Sequence, residues 1–205
     1  MDASNLLKDI RLMPVVTIEQ VDQAVPLAEA LLAAGIGAIE VTLRTEQALA
    51  AMQKIAAEVP GILLGAGSVR NVQQFAQIRE AGCAFAVSPG ATDALLQAAE
   101  LPYVPGAATA SECLRLLEYG YTLQKFFPAE ASGGIKAIKS LAAPLPEVRF
   151  CPTGGINAQL APDYLAVEAI ACIGGSWFVS DAHIAAGDFA AIEQSASAAV
   201  ALTGK

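Results

Sequence analysis

The chain has 205 residues, 55% of them hydrophobic and only 16% charged, with a mean hydropathy of +0.49. That composition excludes disorder and fits one domain with a sizeable core, expected over residues 1–205, rich in strands buried on both faces. A net charge of −8 and a pI near 4.6 exclude a nucleic-acid binder, so an anionic ligand would need local positive partners.

The first fifteen residues, MDASNLLKDIRLMPV, carry Asp2, Lys8, Asp9 and Arg11 and no signal-peptide apolar stretch. No later run reaches membrane-spanning length, so a cytoplasmic protein without membrane attachment is expected. From there, short apolar segments alternate with amphipathic ones. Strands are expected at 13–18 (MPVVTI), 38–43 (AIEVTL), 62–68 (ILLGAGS), 85–89 (FAVSP), 103–107 (YVPGA), 122–127 (TLQKFF), 148–154 (VRFCPTG) and 169–175 (AIACIGG). Their near-continuous apolar character is that of strands covered on both faces.

Helices are expected between them at 21–35, 45–58, 71–82, 92–100, 109–120, 133–143 and 157–167, with a long last one at 188–204. Several open on Asn, Thr or Asp and close on Gly, the residue types that cap helices. Eight strand-then-helix units of about 25 residues each predict an α/β fold, a single small (β/α)8 TIM barrel. A doubly wound sheet, the alternative, would use fewer units with longer helices.

Active sites of such barrels lie at the carboxyl ends of the strands. On strand 2, EVTLRT, a period of two puts Glu40, Thr42 and Arg44 on one face and Ile39, Val41 and Leu43 on the other. The apolar set suits the helix side, so the polar set is expected inside, either as a self-satisfied Glu–Arg pair or as reactive groups. The same rule on strand 6, LQKFF, turns Leu123, Lys125 and Phe127 inward. A lysine in such a run either extends its head to water or is a nucleophilic amine that its apolar setting helps to lose a proton.

The exits of strands 7 and 8 are glycine-rich: TGGIN at 153–157 and IGGSW at 173–177. Glycines let backbone N–H groups approach an anion, and a helix starting near Asn157 would add its positive end. Barrel phosphate sites are frequently built from these two loops. Cys83, Cys113, Cys151 and Cys172 lack C-x-x-C spacing and are expected reduced. His183, the only histidine, is expected at the surface of the last helix with no ligand cluster around it, so no zinc site is expected.

EVTLRT, GAGSV, SPG, KFFPAE, CPTGGI and IGGSW occur in that order, one per strand. From about residue 13 to about 190 the sequence resembles the KHG/KDPG aldolase family. The resemblance implies a metal-free, cofactor-free class I aldolase, a carbon–carbon lyase of the Entner–Doudoroff route. It would cleave 2-dehydro-3-deoxy-6-phosphogluconate to pyruvate and glyceraldehyde 3-phosphate, and 4-hydroxy-2-oxoglutarate to pyruvate and glyoxylate, commonly as a homotrimer. It implies Lys125 as the Schiff-base lysine and Glu40 as acid/base. Arg44 would receive the pyruvyl carboxylate, with help from Ser68 and Pro89. Thr153 would influence stereochemistry at the new bond, and Gly154, Gly155, Gly175 and Ser176 would hold the phosphate. Ser68 stands where the family usually has threonine, which keeps the hydroxyl and loses one methyl. Strand 1 lacks the arginine of phosphogalactonate-cleaving relatives, which tilts the expectation to the gluconate series.

Two other readings remain open from sequence. A phosphosugar isomerase or synthase on the same barrel would share the loops after strands 7 and 8 without needing the strand-6 lysine. A binding protein that had lost catalysis would have no use for an uncharged amine.

Overall fold

A computed structural model describes residues 1–204; Lys205, the last residue of the expected domain span, lies outside the described residues. Eight parallel strands form where the sequence predicts them, each shorter than its apolar run. They are β1 (Leu12–Val16), β2 (Ala38–Thr42), β3 (Leu63–Gly67), β4 (Phe85–Val87), β5 in two pieces (Tyr103–Val104 and Gly106–Ala107), β6 (Leu123–Phe126), β7 (Arg149–Pro152) and β8 (Ile173–Gly175). Pro105 interrupts β5 because it has no N–H to give the ladder. The first piece of β5 pairs with β4 and the second with β6. Lys125 N still donates to the Pro105 carbonyl at 2.8 Å, so the two pieces continue one wall.

One sheet runs β5, β4, β3, β2, β1, β8, and the other runs from the second piece of β5 through β6 to β7. Single parallel bridges, Phe150 with Ile170 and Thr153 with Gly174, join β7 to the β8 segment and close the ring. The architecture is therefore the expected (β/α)8 barrel.

Around it lie α1 (Ala24–Ala33, entered through a 3-10 turn at Val21–Gln23), α2 (Ala48–Glu58), α3 (Gln73–Glu80), α4 (Asp93–Ala98), α5 (Ala110–Glu118), α6 (Gly134–Ala142), α7 (Ala161–Leu165), α8 (Asp181–Ala186) and α9 (Phe189–Ala201). Three of the cap residues act as read from sequence, whereas α2 and α3 begin later than Thr45 and Asn71 would place them, with no side-chain cap on the residue before the helix. Thr92 Oγ1 accepts from Leu95 N, Thr109 and Glu112 form a reciprocal capping box, and Asp188 accepts from Ala191 N.

Two further expectations fail here. α7 begins at Ala161, not near Asn157; the Asn157 side chain accepts from the N–H groups of Gln159 and Leu160 and so stabilises a turn ahead of the helix. His183 lies half-buried on the separate helix α8, which the sequence reading passed over. Among the described residues no helix is long and apolar enough to cross a membrane.

Two apolar layers hold the barrel. Outward residues such as Ile39, Val41, Leu64, Phe126 and Phe150 pack against the helices. Inward residues Met13, Ala38, Phe85, Val87, Leu123, Cys151 and Cys172 fill the floor, joined by Ala3 and Leu7 of the segment before β1. Asp2 ties that segment down, its carboxylate accepting from Thr122 Oγ1 and Leu123 N. All four cysteines are buried as free thiols, and burial pushes Cys83 up to about 12 and Cys113 to about 11.

The inward positions of β3 are Leu63, Gly65 and Gly67. A Cβ on Gly65 would overlap the ring of Phe85, which is fully buried on the next strand. Gly65→Ala is expected to destabilise the fold by about 1–3 kcal/mol through overpacking. Its urea midpoint measures this, and an unchanged midpoint would contradict the close packing described.

Candidate active site

The inward rule places the polar residues as expected. Glu40 and Thr42 point into the barrel while Ile39 and Val41 join the helix-facing core. Lys125 enters from β6, four positions round the ring, opposite Gly106 on β5 and Cys151 on β7. Its ammonium donates to Glu40 Oε1 at 3.1 Å and to Oε2 at 3.4 Å, with Lys125 5% and Glu40 1% exposed. A carboxylate or an ammonium buried alone would cost several kcal/mol, and each is tolerated here because the other is present.

Of the alternatives left open by EVTLRT, the self-satisfied Glu–Arg pair does not form. Glu40 pairs with Lys125 and not with Arg44. Nor does Lys125 sit in a purely apolar setting: besides the Phe127 ring, whose centroid is 5.6 Å from Nζ, it faces a carboxylate. That carboxylate lies within the hydrogen-bond distance of the ammonium that a proton transfer between them requires.

Room for Glu40 comes from Gly67. A Cβ there would overlap Glu40 Oε1, so the glycine lets the carboxylate lie across β3 toward Lys125. The sequence signal was available in GAG, whose two glycines both occupy inward positions, but the reading used that motif only for Ser68.

Arg44 sits at the exposed rim beyond the end of β2, its Nε donating to Ser68 Oγ at 3.2 Å. Ser68 has φ of 58°, a left-handed conformation that turns its hydroxyl toward the arginine at the exit of β3. Pro89 is exposed at the exit of β4, above the buried Ser88, and Gly106 allows the Pro89 backbone to come close. Thr17 and Thr42 share a hydroxyl hydrogen bond at 2.9 Å.

Thr153 is the next inward residue after Cys151. Its hydroxyl is buried with no hydrogen-bond partner beyond weak contact with the Cys151 thiol. A buried hydroxyl left in that state is costly unless a ligand completes it. Gly174 makes space for it, since a Cβ there would overlap Thr153 Oγ1.

The Thr153–Gly174 bridge sets the two glycine-rich exits side by side. Gly154 and Gly155 have φ of 104° and 81°, which side-chain-bearing residues rarely adopt. Gly175 is buried against the Trp177 ring, and Ser176 is exposed next to it. The turn at 154–155 is also anchored from β6: Ala129 N donates to Thr153 O at 2.8 Å and Glu130 N to Gly154 O at 3.1 Å. The predicted residues thus gather at one end of the barrel, in a deep part (Lys125, Glu40, Thr153) and a rim (Arg44, Ser68, Pro89, the glycine turns).

A lysine amine and a carboxylate in contact inside a parallel barrel define a class: enzymes able to condense a side-chain amine with a carbonyl and move protons beside it. The particular family follows from comparison with known proteins. Residues 3–195 match the family model described as KDPG and KHG aldolase. The KHG/KDPG aldolase of Escherichia coli K12 is 47% identical over 97% of this chain and 94% of its own. The KDPG aldolase of Legionella pneumophila, with pyruvate captured as a covalent carbinolamine, superposes with a TM-score of 0.93 at 41% identity, covering 97% of this chain and 98% of its own. The 2-keto-3-deoxy-6-phosphogluconate aldolase of Zymomonas mobilis ZM4 with 3-phosphoglycerate gives 0.92 at 44% identity, covering 98% and 96%. The chain belongs to the KDPG/KHG aldolase family.

Gly67→Ala should push the Glu40 carboxylate away from Lys125. A crystal structure of that variant is expected to show Nζ and Oε1 separated by more than about 3.5 Å. An unchanged 3.1 Å contact would show that the glycine does not set the position of Glu40.

Proposed function

We propose that the chain is a class I aldolase that cleaves 2-dehydro-3-deoxy-6-phosphogluconate to pyruvate and glyceraldehyde 3-phosphate, with Lys125 as the Schiff-base residue and Glu40 as acid and base. The observation that carries it is the buried 3.1 Å contact between Nζ and Glu40 Oε1, set in a chain of this family. Glu40 removes the ammonium proton and the free amine attacks C2 of the substrate. Glu40 gives that proton to the carbinolamine hydroxyl, which leaves as water, so that an iminium forms and Glu40 is a carboxylate again. Glu40 then takes the C4 hydroxyl proton as the C3–C4 bond breaks, and that bond's electron pair passes into the iminium to form an enamine. The aldehyde leaves. Glu40 returns its proton to C3, and water hydrolyses the resulting iminium to pyruvate and free lysine. Acid–base help of this kind is worth roughly 10²–10⁴-fold.

Arg44, whose planar fork suits a carboxylate, takes the 1-carboxylate, with the Ser68 hydroxyl already hydrogen-bonded to it and Pro89 beside the entrance. Thr153 offers its unpaired hydroxyl to the substrate oxygen near the bond that breaks. Gly154, Gly155, Gly175 and Ser176 receive the phosphate through backbone N–H groups and one hydroxyl. The same deep site serves 4-hydroxy-2-oxoglutarate, which lacks the phosphate, and the chemistry asks for neither metal nor cofactor. We place the protein in the cytoplasm, as one domain over its 205 residues, assembled as a homotrimer.

Incubation with pyruvate and borohydride should add a mass to the peptide containing Lys125, and Lys125→Met should neither be labelled nor cleave. Glu40→Gln should lower kcat by about 10²–10⁴-fold while labelling stays detectable. Absence of pyruvate-dependent labelling in the wild type would sink the reading. In a separate measurement, Arg44→Ala should raise KM for both substrates by about tenfold or more, the loss of a charge-assisted hydrogen bond, with a smaller effect on kcat. A KM change confined to the phosphorylated substrate would instead assign Arg44 to the phosphate.

A further inference from the structure

Beside the glycine turn at 154–155 stands an arrangement that the mechanism above does not use. The Tyr164 ring is fully buried, and its hydroxyl donates to Glu130 Oε1. Burial first, and then the neighbouring carboxylate, push the phenol above its usual range, so it keeps the proton it donates. Glu130 comes from the loop after β6 and its backbone N–H already holds Gly154 O. Its stem lies directly under the turn: a Cβ on Gly155 would be 2.7 Å from Glu130 Cβ and 2.9 Å from Cγ. Gly134, with φ of 57°, clears the space in which carboxylate and phenol meet, since a Cβ there would be 2.7 Å from Glu130 Oε1 and 3.1 Å from the Tyr164 hydroxyl. Three elements therefore converge on one carboxylate whose residue is otherwise exposed.

A free carboxylate at this place would oppose the function proposed for the turn, because a substrate phosphate carries about two negative charges. We propose that Tyr164 is a positioning residue for substrate phosphate: its hydroxyl holds the Glu130 carboxylate toward α7 and off the Gly154–Gly155 turn, so that the backbone N–H groups there meet an anion without a competing negative charge. This rests on the aldolase reading and adds to it a determinant of preference for phosphorylated over unphosphorylated substrate.

Tyr164→Phe removes only the hydroxyl. It is expected to raise KM for 2-dehydro-3-deoxy-6-phosphogluconate about tenfold, the scale of one hydrogen bond to a charged group. Effects on kcat, and on both constants for 4-hydroxy-2-oxoglutarate, should stay within about twofold. Glu130→Gln keeps an acceptor for the phenol and drops the charge, so its KM for the phosphorylated acid should be no higher than wild type. Combined with Tyr164→Phe, it should bring that KM back to within about threefold of wild type. A merely structural latch would raise KM for both substrates together and would not be rescued by the neutral amide. Either of those results, an unchanged KM in Tyr164→Phe, or a tenfold rise in Glu130→Gln alone would overturn the proposal. Failure of the aldolase reading is seen separately, as absence of pyruvate release by the wild type, and would remove this proposal with it.

Discussion

Two opposite charges taken out of water at the centre of the barrel are the constraint on which the rest of the site depends. Lys125 and Glu40 come from strands on different sides of the ring, and neither would be tolerated there alone. Their mutual contact requires β3 to carry no side chain at Gly67, where a Cβ would overlap the Glu40 carboxylate. Beneath them lies an apolar floor, the cluster of Met13, Phe85, Leu123 and Cys151. The pair stabilises the fold little, if at all, compared with an apolar isostere. It is better understood as chemistry accommodated by packing.

The order of polarity along the barrel axis follows from the same period of two. Ala38, Glu40 and Thr42 lie on one inward face of β2, and Leu123 and Lys125 on that of β6, each run changing from apolar to polar toward the carboxyl end. The parallel arrangement aligns these gradients, so that β2 and β6 contribute their polar ends to one mouth. Alternation of strand and helix, legible in the sequence, is what guarantees that alignment.

That explains which parts of the protein could be read in advance. All eight strands were legible because each is an apolar run between helix caps, and Glu40 and Lys125 were legible as polar residues at inward positions near strand ends, whereas Thr153 came only from the family resemblance. The partner of Glu40 was not, because periodicity within EVTLRT compares only residues of one strand, whereas Lys125 lies 85 positions away. Helix α8 escaped notice since six residues, DAHIAA, carry too little periodicity. The start of α7 was set too early because Asn157 caps a turn and a helix with the same chemistry. The part played by Ala3 and Leu7 in the floor was not foreseen, as a polar-flanked opening segment gives no sign of what it will cover.

The apolar floor bears on proton traffic as well. With apolar side chains below and neighbouring strands on every side, Lys125 and Glu40 can trade hydrogen ions with bulk solvent only from above. In the mechanism proposed above, a bound ketoacid fills that side. For as long as it remains, the two residues and the ligand form a closed inventory, in which each hydrogen ion given up by one member must be found on another. The water expelled on forming the imine must therefore depart past the ligand or stay as its neighbour until hydrolysis calls for it again.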